Sequence, residues 1–142
     1  MKTSARNQFS GVVDTVQVGA VYAEVHIALL GGETIVASVT KESAAALGLR
    51  EGLPVLALVK APQIVVVADF AGYKLSARNQ LTGVVRAIKA GAVNAEVIIA
   101  LPGGVDVAAT VTLESLAALQ LSEGRQATAV FKASSVLLAV PS

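Results

Sequence analysis

Two serine–arginine pairs are the residues in this chain best equipped for chemistry. Ser4 and Arg6 stand two positions apart, and Ser76 and Arg78 repeat the spacing further along, each pair inside the identical pentapeptide Ser-Ala-Arg-Asn-Gln. Each half then supplies a threonine, Thr40 or Thr112, and a Lys-Ala dipeptide, Lys60-Ala61 or Lys132-Ala133, the second followed by Ser134. Together with the main-chain amides of Ala5 and Ala77, these groups are hydroxyls, guanidinium forks, ammonium ions and N–H groups, all of which donate hydrogen bonds. That inventory suits a small oxyanion. The competing assignment makes Arg6 and Lys60 solvated rim charges, paired to Glu24 or Glu51.

Catalysis finds little support. Ser4 has no histidine to activate it, and the single histidine, His26, is replaced by Ile98 at the equivalent place. Glu24 and Glu96 fall on the polar face of a strand and are expected to be ion-pair partners at a rim or interface, not a catalytic pair. Gly31-Gly32 reads as a hairpin turn, and no phosphate-binding GxxxxGK[ST] loop is present. The chain is expected not to be an enzyme.

These groups sit in an apolar background. Of the 142 residues 54% are hydrophobic and 15% charged, against about 25% charged in an average protein, so a sizeable subunit interface is expected. The net charge of +1 provides no field for steering onto nucleic acid or an anionic membrane. With no cysteine, disulfides and thiolate metal sites are excluded. The N-terminus leads into polar residues, and no uncharged apolar run reaches the ~18 residues of a membrane helix, so a cytoplasmic location is expected.

The chain is one unit written twice. Placing Lys2 on Lys74, a shift of 72 residues, aligns 2–68 with 74–140 without a gap, and about half the positions are identical. Lys2, Arg6 and Lys60 recur as Lys74, Arg78 and Lys132; Glu24, Glu42 and Glu51 recur as Glu96, Glu114 and Glu123. The expected organisation is a domain over 2–68, a linker over 69–73 and a second domain over 74–140.

Each unit reads as three strands, a short helix and two strands. The first strand is expected over Phe9–Val18, weakened or bulged at Gly11. Alternation from Ala20 onward, with Val21, Ala23, Val25, Ile27 and Leu29 on one face, predicts the second strand. Thr34–Val39 is the third. Lys41–Leu47 favours helix with Thr40 as its N-cap, ended by Gly48; Gln120 replaces that glycine, so the second helix is expected to run slightly further. Strands over Val55–Lys60 and Ile64–Ala68 complete the unit. The order matches a five-stranded Greek-key OB barrel, giving an all-β fold of two OB-like barrels in tandem, each with one short helix between strands 3 and 4. OB barrels also bind single-stranded nucleic acid, the alternative function. That use needs aromatic stacking platforms, whereas Phe9, Tyr22, Phe70, Tyr73 and Phe131 are the only aromatics and none recurs as an aromatic in the other unit. A purely structural assembly unit is the third reading.

Ser-Ala-Arg-Asn before a strand, Gly-Ala-Val-Asn-Ala-Glu-Val at 91–97, Val-Thr before a short helix and Lys-Ala-Ser at 132–134 resemble the molybdenum-pterin-binding, or Mop, family. Two such units in tandem resemble its di-domain molybdate-storage members over nearly the whole chain. The resemblance implies OB-type barrels, a homotrimer, and molybdate held at domain and subunit interfaces, with tungstate as competitor and a role in cytoplasmic storage and homeostasis. It implies main sites built from Ser4, Ala5, Arg6, Thr40, Lys60 and Ala61, and from Ser76, Ala77, Arg78, Thr112, Lys132, Ala133 and Ser134. A second kind of site would use backbone around Ala20-Val21 and Ala92-Val93. No partner nucleic acid and no membrane are implied. Two positions depart from the pattern: Tyr22 stands where the second unit has Asn94, and Pro62 where it has Ser134.

Overall fold

The computed structural model describes residues 1–142. The first half forms β1 (Asn7–Val18), β2 (Tyr22–Leu29), β3 (Thr34–Thr40), α1 (Lys41–Leu47), β4 (Pro54–Val59) and β5 (Val65–Val67). The second forms β6 (Asn79–Ala90), β7 (Asn94–Ala100), β8 (Asp106–Thr112), α2 (Leu113–Ala118), β9 (Gln126–Phe131) and β10 (Leu137–Ala139). A one-turn 3₁₀ segment, Ala61–Gln63 or Ala133–Ser135, precedes each short last strand. No helix is long and apolar enough to cross a membrane.

The strands make two five-stranded antiparallel sheets, ordered β10-β4-β1-β2-β3 and β5-β9-β6-β7-β8. Each order is that of a five-stranded Greek-key barrel opened between its third and fifth strands, and β10 and β5 lie against β3 and β8 to close the curl. The last strands are exchanged between repeats. Leu137–Ala139 pairs with Leu56–Leu58 of β4, and Val65–Val67 pairs with Thr128–Val130 of β9. The sequence repeats 2–68 and 74–140 are therefore not coextensive with the folded sheets. Apolar side chains from both repeats, including Ile64 and Val66 of one and Val136 of the other, merge into a single buried cluster.

Alternation governs the long strands: Ala23, Val25 and Ile27 are fully buried, whereas Glu24 and His26 face outward and are only part-covered. The irregularity in β1 is not at Gly11. The register slips between Val13 and Thr15, and in β6 between Val85 and Ala87, so the extra residues are Asp14 and Arg86. Gly11 and Gly83 instead allow close approach. A Cβ at Gly83 would stand 2.2 Å from the Ala100 carbonyl oxygen, and one at Gly11 would stand 2.7 Å from that of Ala28.

Thr40 and Thr112 cap their helices, each Oγ1 accepting from the amide three residues on, Ser43 or Ser115. Gly48 ends α1 in the left-handed conformation. The second helix does not run further: α2 stops at Ala118 and Gln120 takes φ 52°, the geometry of Gly48 despite its side chain. The following leucine explains this. Leu49 and Leu121 donate back to Ala44 and Leu116 and pack against the core, and only a left-handed turn before them allows both.

Two asparagines join the halves. Asn79 is 2% exposed; its Nδ2 donates to the Val36 carbonyl and its Oδ1 accepts the Val36 amide, both at 2.8 Å. Asn7 does the same to Ala108, again at 2.8 Å. Val36 and Ala108 lie on β3 and β8, the sheet edges, whose outward N–H and C=O groups would otherwise lack partners. A carboxamide carries donor and acceptor on one carbon and so imitates a neighbouring strand. Replacing Asn79 with Ala leaves two buried backbone groups unpaired and is expected to lower stability by roughly 2 kcal/mol or more, measured by urea unfolding; a loss well under ~1 kcal/mol would contradict this role.

Candidate functional site

The segment before β6, the turn after β9 and the third strand of the other repeat converge. Ser38 of β3, Ser76, Ala77 and Arg78, and Lys132, Ala133 and Ser134 line a cavity of about 280 Å³. Six of these seven were expected from sequence; the seventh, Ser38, comes from the other half. Three hydroxyls, one guanidinium and one ammonium face this space, and no carboxylate is among the lining residues. The motif's last residue fixes the loop: Gln80 Nε2 donates to the carbonyls of Ala77 and Leu75 at 2.9 and 3.2 Å. Asn79 anchors the same loop on Val36, two residues from Ser38.

Both arginines reach across to the opposite repeat. Arg78 Nη1 donates to Glu24 Oε2 at 2.9 Å, and Glu24 Oε1 lies 2.7 Å from His26 Nε2. Arg6 makes a bidentate pair with Glu96, Nη2 to Oε1 at 3.0 Å and Nη1 to Oε2. The arginines stay more than half exposed, but each is held by a glutamate of the opposite repeat and neither pairs with Glu51, so the glutamates serve as ion-pair partners between repeats. The hydrogen bond with His26, then that from Arg78, holds the Glu24 carboxyl below the ordinary glutamate range, against a smaller opposing effect of burial. Lys60 and Lys132 form no ion pair within the chain.

The first repeat builds a different cavity. Thr3, Ser4, Ala5, Leu58, Lys60 and Gln63 enclose about 370 Å³ together with Ser134, Ser135 and Leu137 of the second repeat. Arg6 and Ala61 do not line it, Ala61 being buried and Arg6 held by Glu96. Pro62 contributes nothing, and the exchanged tail brings two serine hydroxyls from the other half. Ser134 lines both cavities.

Thr40 and Thr112 line neither cavity. Their hydroxyls cap α1 and α2 and donate to Ser43 and Ser115 at 2.8 and 2.9 Å. They stand instead beside the exposed loops Ala20-Val21 and Ala92-Val93, where the Val21 and Val93 carbonyls accept the amides of Lys41 and Leu113. Within one chain the threonines thus belong with the second group of residues.

A family model described as the TOBE domain matches residues 3–66 and again 75–138. The chain belongs to the TOBE-domain family. Over 99% of its length it is 46% identical to the molybdenum transport protein ModE of Herbaspirillum seropedicae and 43% identical to the molybdenum-pterin-binding protein MopA of Rhodobacter capsulatus, covering 52% and 53% of those proteins. It is 39% identical to the DNA-binding transcriptional dual regulator ModE of Escherichia coli, covering 52% of it. The chain thus spans about half the length of these curated relatives. A solved structure of the cytoplasmic molybdate-binding protein ModG with molybdate bound superposes with a TM-score of 0.96 at 53% identity, covering 99% of this chain and all of that one.

Sequence reasoning missed several residues of the TOBE pair's shared walls. Ser38 has a signal that could have found it: its counterpart is Thr110, so a hydroxyl survives the shift, and it lies opposite Glu24 as Thr110 lies opposite Glu96. Asn7 and Asn79 were visible inside the repeated pentapeptide. Thr3, Gln63 and Ser135 had no signal, because their counterparts Leu75, Ser135 and Gln63 do not preserve one chemistry. The Glu24 pair carries a pH signature. Its lowered pKa means that folding favours the ionised form, so the contribution is present above the ordinary glutamate range and is lost as pH falls below it. The difference in urea midpoint between the wild type and Glu24→Gln is expected to be open at neutral pH and to close below about pH 4; a gap independent of pH would contradict the pairing.

Proposed function

We propose that this chain binds molybdate and serves as a cytoplasmic store that buffers the ion, assembled as a homotrimer and open to tungstate as a competitor. The observation that carries this reading is the cavity lined by Ser38, Ser76, Arg78, Lys132 and Ser134, with donors from both repeats and no carboxylate among its lining residues. Molybdate at neutral pH is a tetrahedral dianion with four acceptor oxygens and no proton to donate, so a wall rich in donors matches it. Further support comes from the full-length likeness to ModG, whose structure holds molybdate. Ala20-Val21 and Ala92-Val93, with Thr40 and Thr112 beside them, would form sites completed by other subunits. Val21 and Val93 are 61% and 71% exposed, as residues awaiting a neighbour would be.

The energetics are adequate. Micromolar affinity requires about −8 kcal/mol. Hydrogen bonds to charged groups contribute roughly 1.5–3 kcal/mol each, so some four to seven good donors suffice after the cost of ordering the wall. The DNA binding named for the Escherichia coli relative belongs to a protein about twice this length. Here Phe9 and Phe131 are buried in the core, which removes them as stacking platforms for single strands.

Arg78→Ala or Lys132→Ala is expected to weaken molybdate binding by ~2 kcal/mol or more at the affected site while the sheets stay folded, measured by calorimetry alongside circular dichroism. Unchanged stoichiometry and affinity would remove these residues from the site. Native mass spectrometry with and without molybdate is expected to show a trimer that gains several ions; a monomer, or a trimer that gains none, would overturn the storage reading. Sulfate is expected to bind more weakly if the assembled site closes to the size of the larger dianion, and equal affinity by calorimetry would refute selection by size.

A further inference from the structure

The two arginines sit in different electrostatic surroundings, although the repeats that supply them are half identical. Arg78 pairs with Glu24, which also holds His26 at 2.7 Å. Arg6 pairs with Glu96, and Ile98 occupies the place of His26. Opposite Glu24 on β1 stands Gln17; opposite Glu96 on β6 stands Lys89. Directly opposed residues of an antiparallel pair share a face. Glu96 therefore has a permanent cation beside it, whereas Glu24 has an imidazole, the group whose charge changes near neutrality.

We infer that His26 is a positioning residue that makes oxyanion binding in the Arg78 cavity pH-dependent, acting through Glu24, and that the Arg6–Glu96 pair lacks this response. The inference rests on reading that cavity as a molybdate site. A dianion beside Arg78 competes with Glu24 for one guanidinium and is repelled by its carboxylate. A proton on His26 places a positive charge against Glu24, offsets that repulsion and leaves more of the Arg78 fork to the ligand. Loss of the proton as pH rises withdraws the compensation, so affinity falls with rising pH. Molybdate remains a dianion over this interval, and Glu24, held below the ordinary glutamate range, remains ionised.

The other groups around His26 do not undo this. Opposite it stand Thr15 of β1 and Val36 of β3, and Ser38 lies opposite Glu24. Asp14, the bulge residue next to Thr15, is the charged group of β1 near this register position. From the other repeat come Arg78 and, across the cavity, Lys132, two fixed cations that act equally at both ends of the interval. The second repeat has Arg86 in place of Asp14, itself paired with Asp106 at 2.7 Å.

The test uses the full chain with molybdate as ligand. Calorimetric titration of the wild type at about pH 6 and about pH 8 is expected to give roughly fivefold tighter binding at the lower pH, the lower end of typical coupling between sites. His26→Gln keeps a donor for Glu24 without the titrating charge and is expected to bind equally at both; His26→Ile, which copies position 98, serves if the glutamine variant is poorly folded. A variant that keeps the wild-type difference overturns the proposal. By reciprocity, bound molybdate must favour protonated His26, so the NMR titration midpoint of this only histidine is expected to rise when molybdate is added. A midpoint that stays put while molybdate binds overturns the inference alone; no binding at either pH overturns the storage reading and the inference with it.

Discussion

An edge strand with unpaired backbone groups must find partners, and in this protein β3 and β8 each find a pair of them on the other repeat. Asn7 and Asn79 present a carboxamide to Ala108 and Val36 in place of a sixth strand. Most of the rest depends on that requirement. Because Asn79 is fixed on Val36, Arg78 is carried to Glu24 and Ser76 to the neighbourhood of Ser38. The pentapeptide is therefore a clamp and a binding segment at once: Asn closes the interface and Ser lines a cavity in both copies, Arg lines one only in the second, and Gln holds the loop's own carbonyls. A clamp of this kind needs a reciprocal edge to grip, which is the physical reason for the segment to stand in both halves.

Exchange of the last strands extends the same logic into the interior. With β5 in one sheet and β10 in the other, the buried cluster cannot be divided along the chain without cutting through packed side chains. The halves then share one cooperative core instead of meeting as two finished barrels. Rigidity follows where it is useful. Lys132 and Ser134 lie on the turn that leads into the exchanged strand, so the cavity walls are tied at one end by the asparagine clamp and at the other by a strand built into the opposite sheet.

Much of this architecture was legible in the residues, and the parts that were not have identifiable causes. Period-two burial in β2 and β7, the Thr40 and Thr112 caps and the element order follow from local rules that act within a few residues. Strand exchange does not, because Val65-Val66-Val67 and Leu137-Leu138-Ala139 are similarly apolar and fit either acceptor, β4 or β9. Only the geometry of the short joint and the opposing sheet decides between them. Gly11 carried a real signal that was assigned the wrong consequence: a missing Cβ accommodates a neighbouring backbone there, and the bulge comes three residues later. Gln120 shows tertiary demand overriding propensity, since burial of Leu121 holds a non-glycine residue in a left-handed turn. Of the site, the composition was visible and the grouping was not. Thr40 and Thr112 share chemistry with the serines but are oriented by helix capping toward another surface.

Duplication copied the inventory and the exchange of last strands is reciprocal, yet unrepeated residues on the exchanged turns keep the two cavities from being copies. The turn 133–135 carries hydroxyls where 61–63 carries Pro62 and Gln63, and the fold presents Ser134 to both spaces. The first cavity thereby regains hydroxyls that its own repeat lacks, at the expense of independence, because one side chain forms part of two walls. The effect of changing Ser134 cannot be assigned to either cavity alone, whereas Ser4 and Ser76 each address one. The same asymmetry runs through the charges: Arg78 answers to a glutamate shared with an imidazole, and Arg6 to a glutamate opposite a lysine. Identical donor motifs are thus placed against different backgrounds, and what distinguishes the two sites lies less in the repeated residues than in the unrepeated ones that face them.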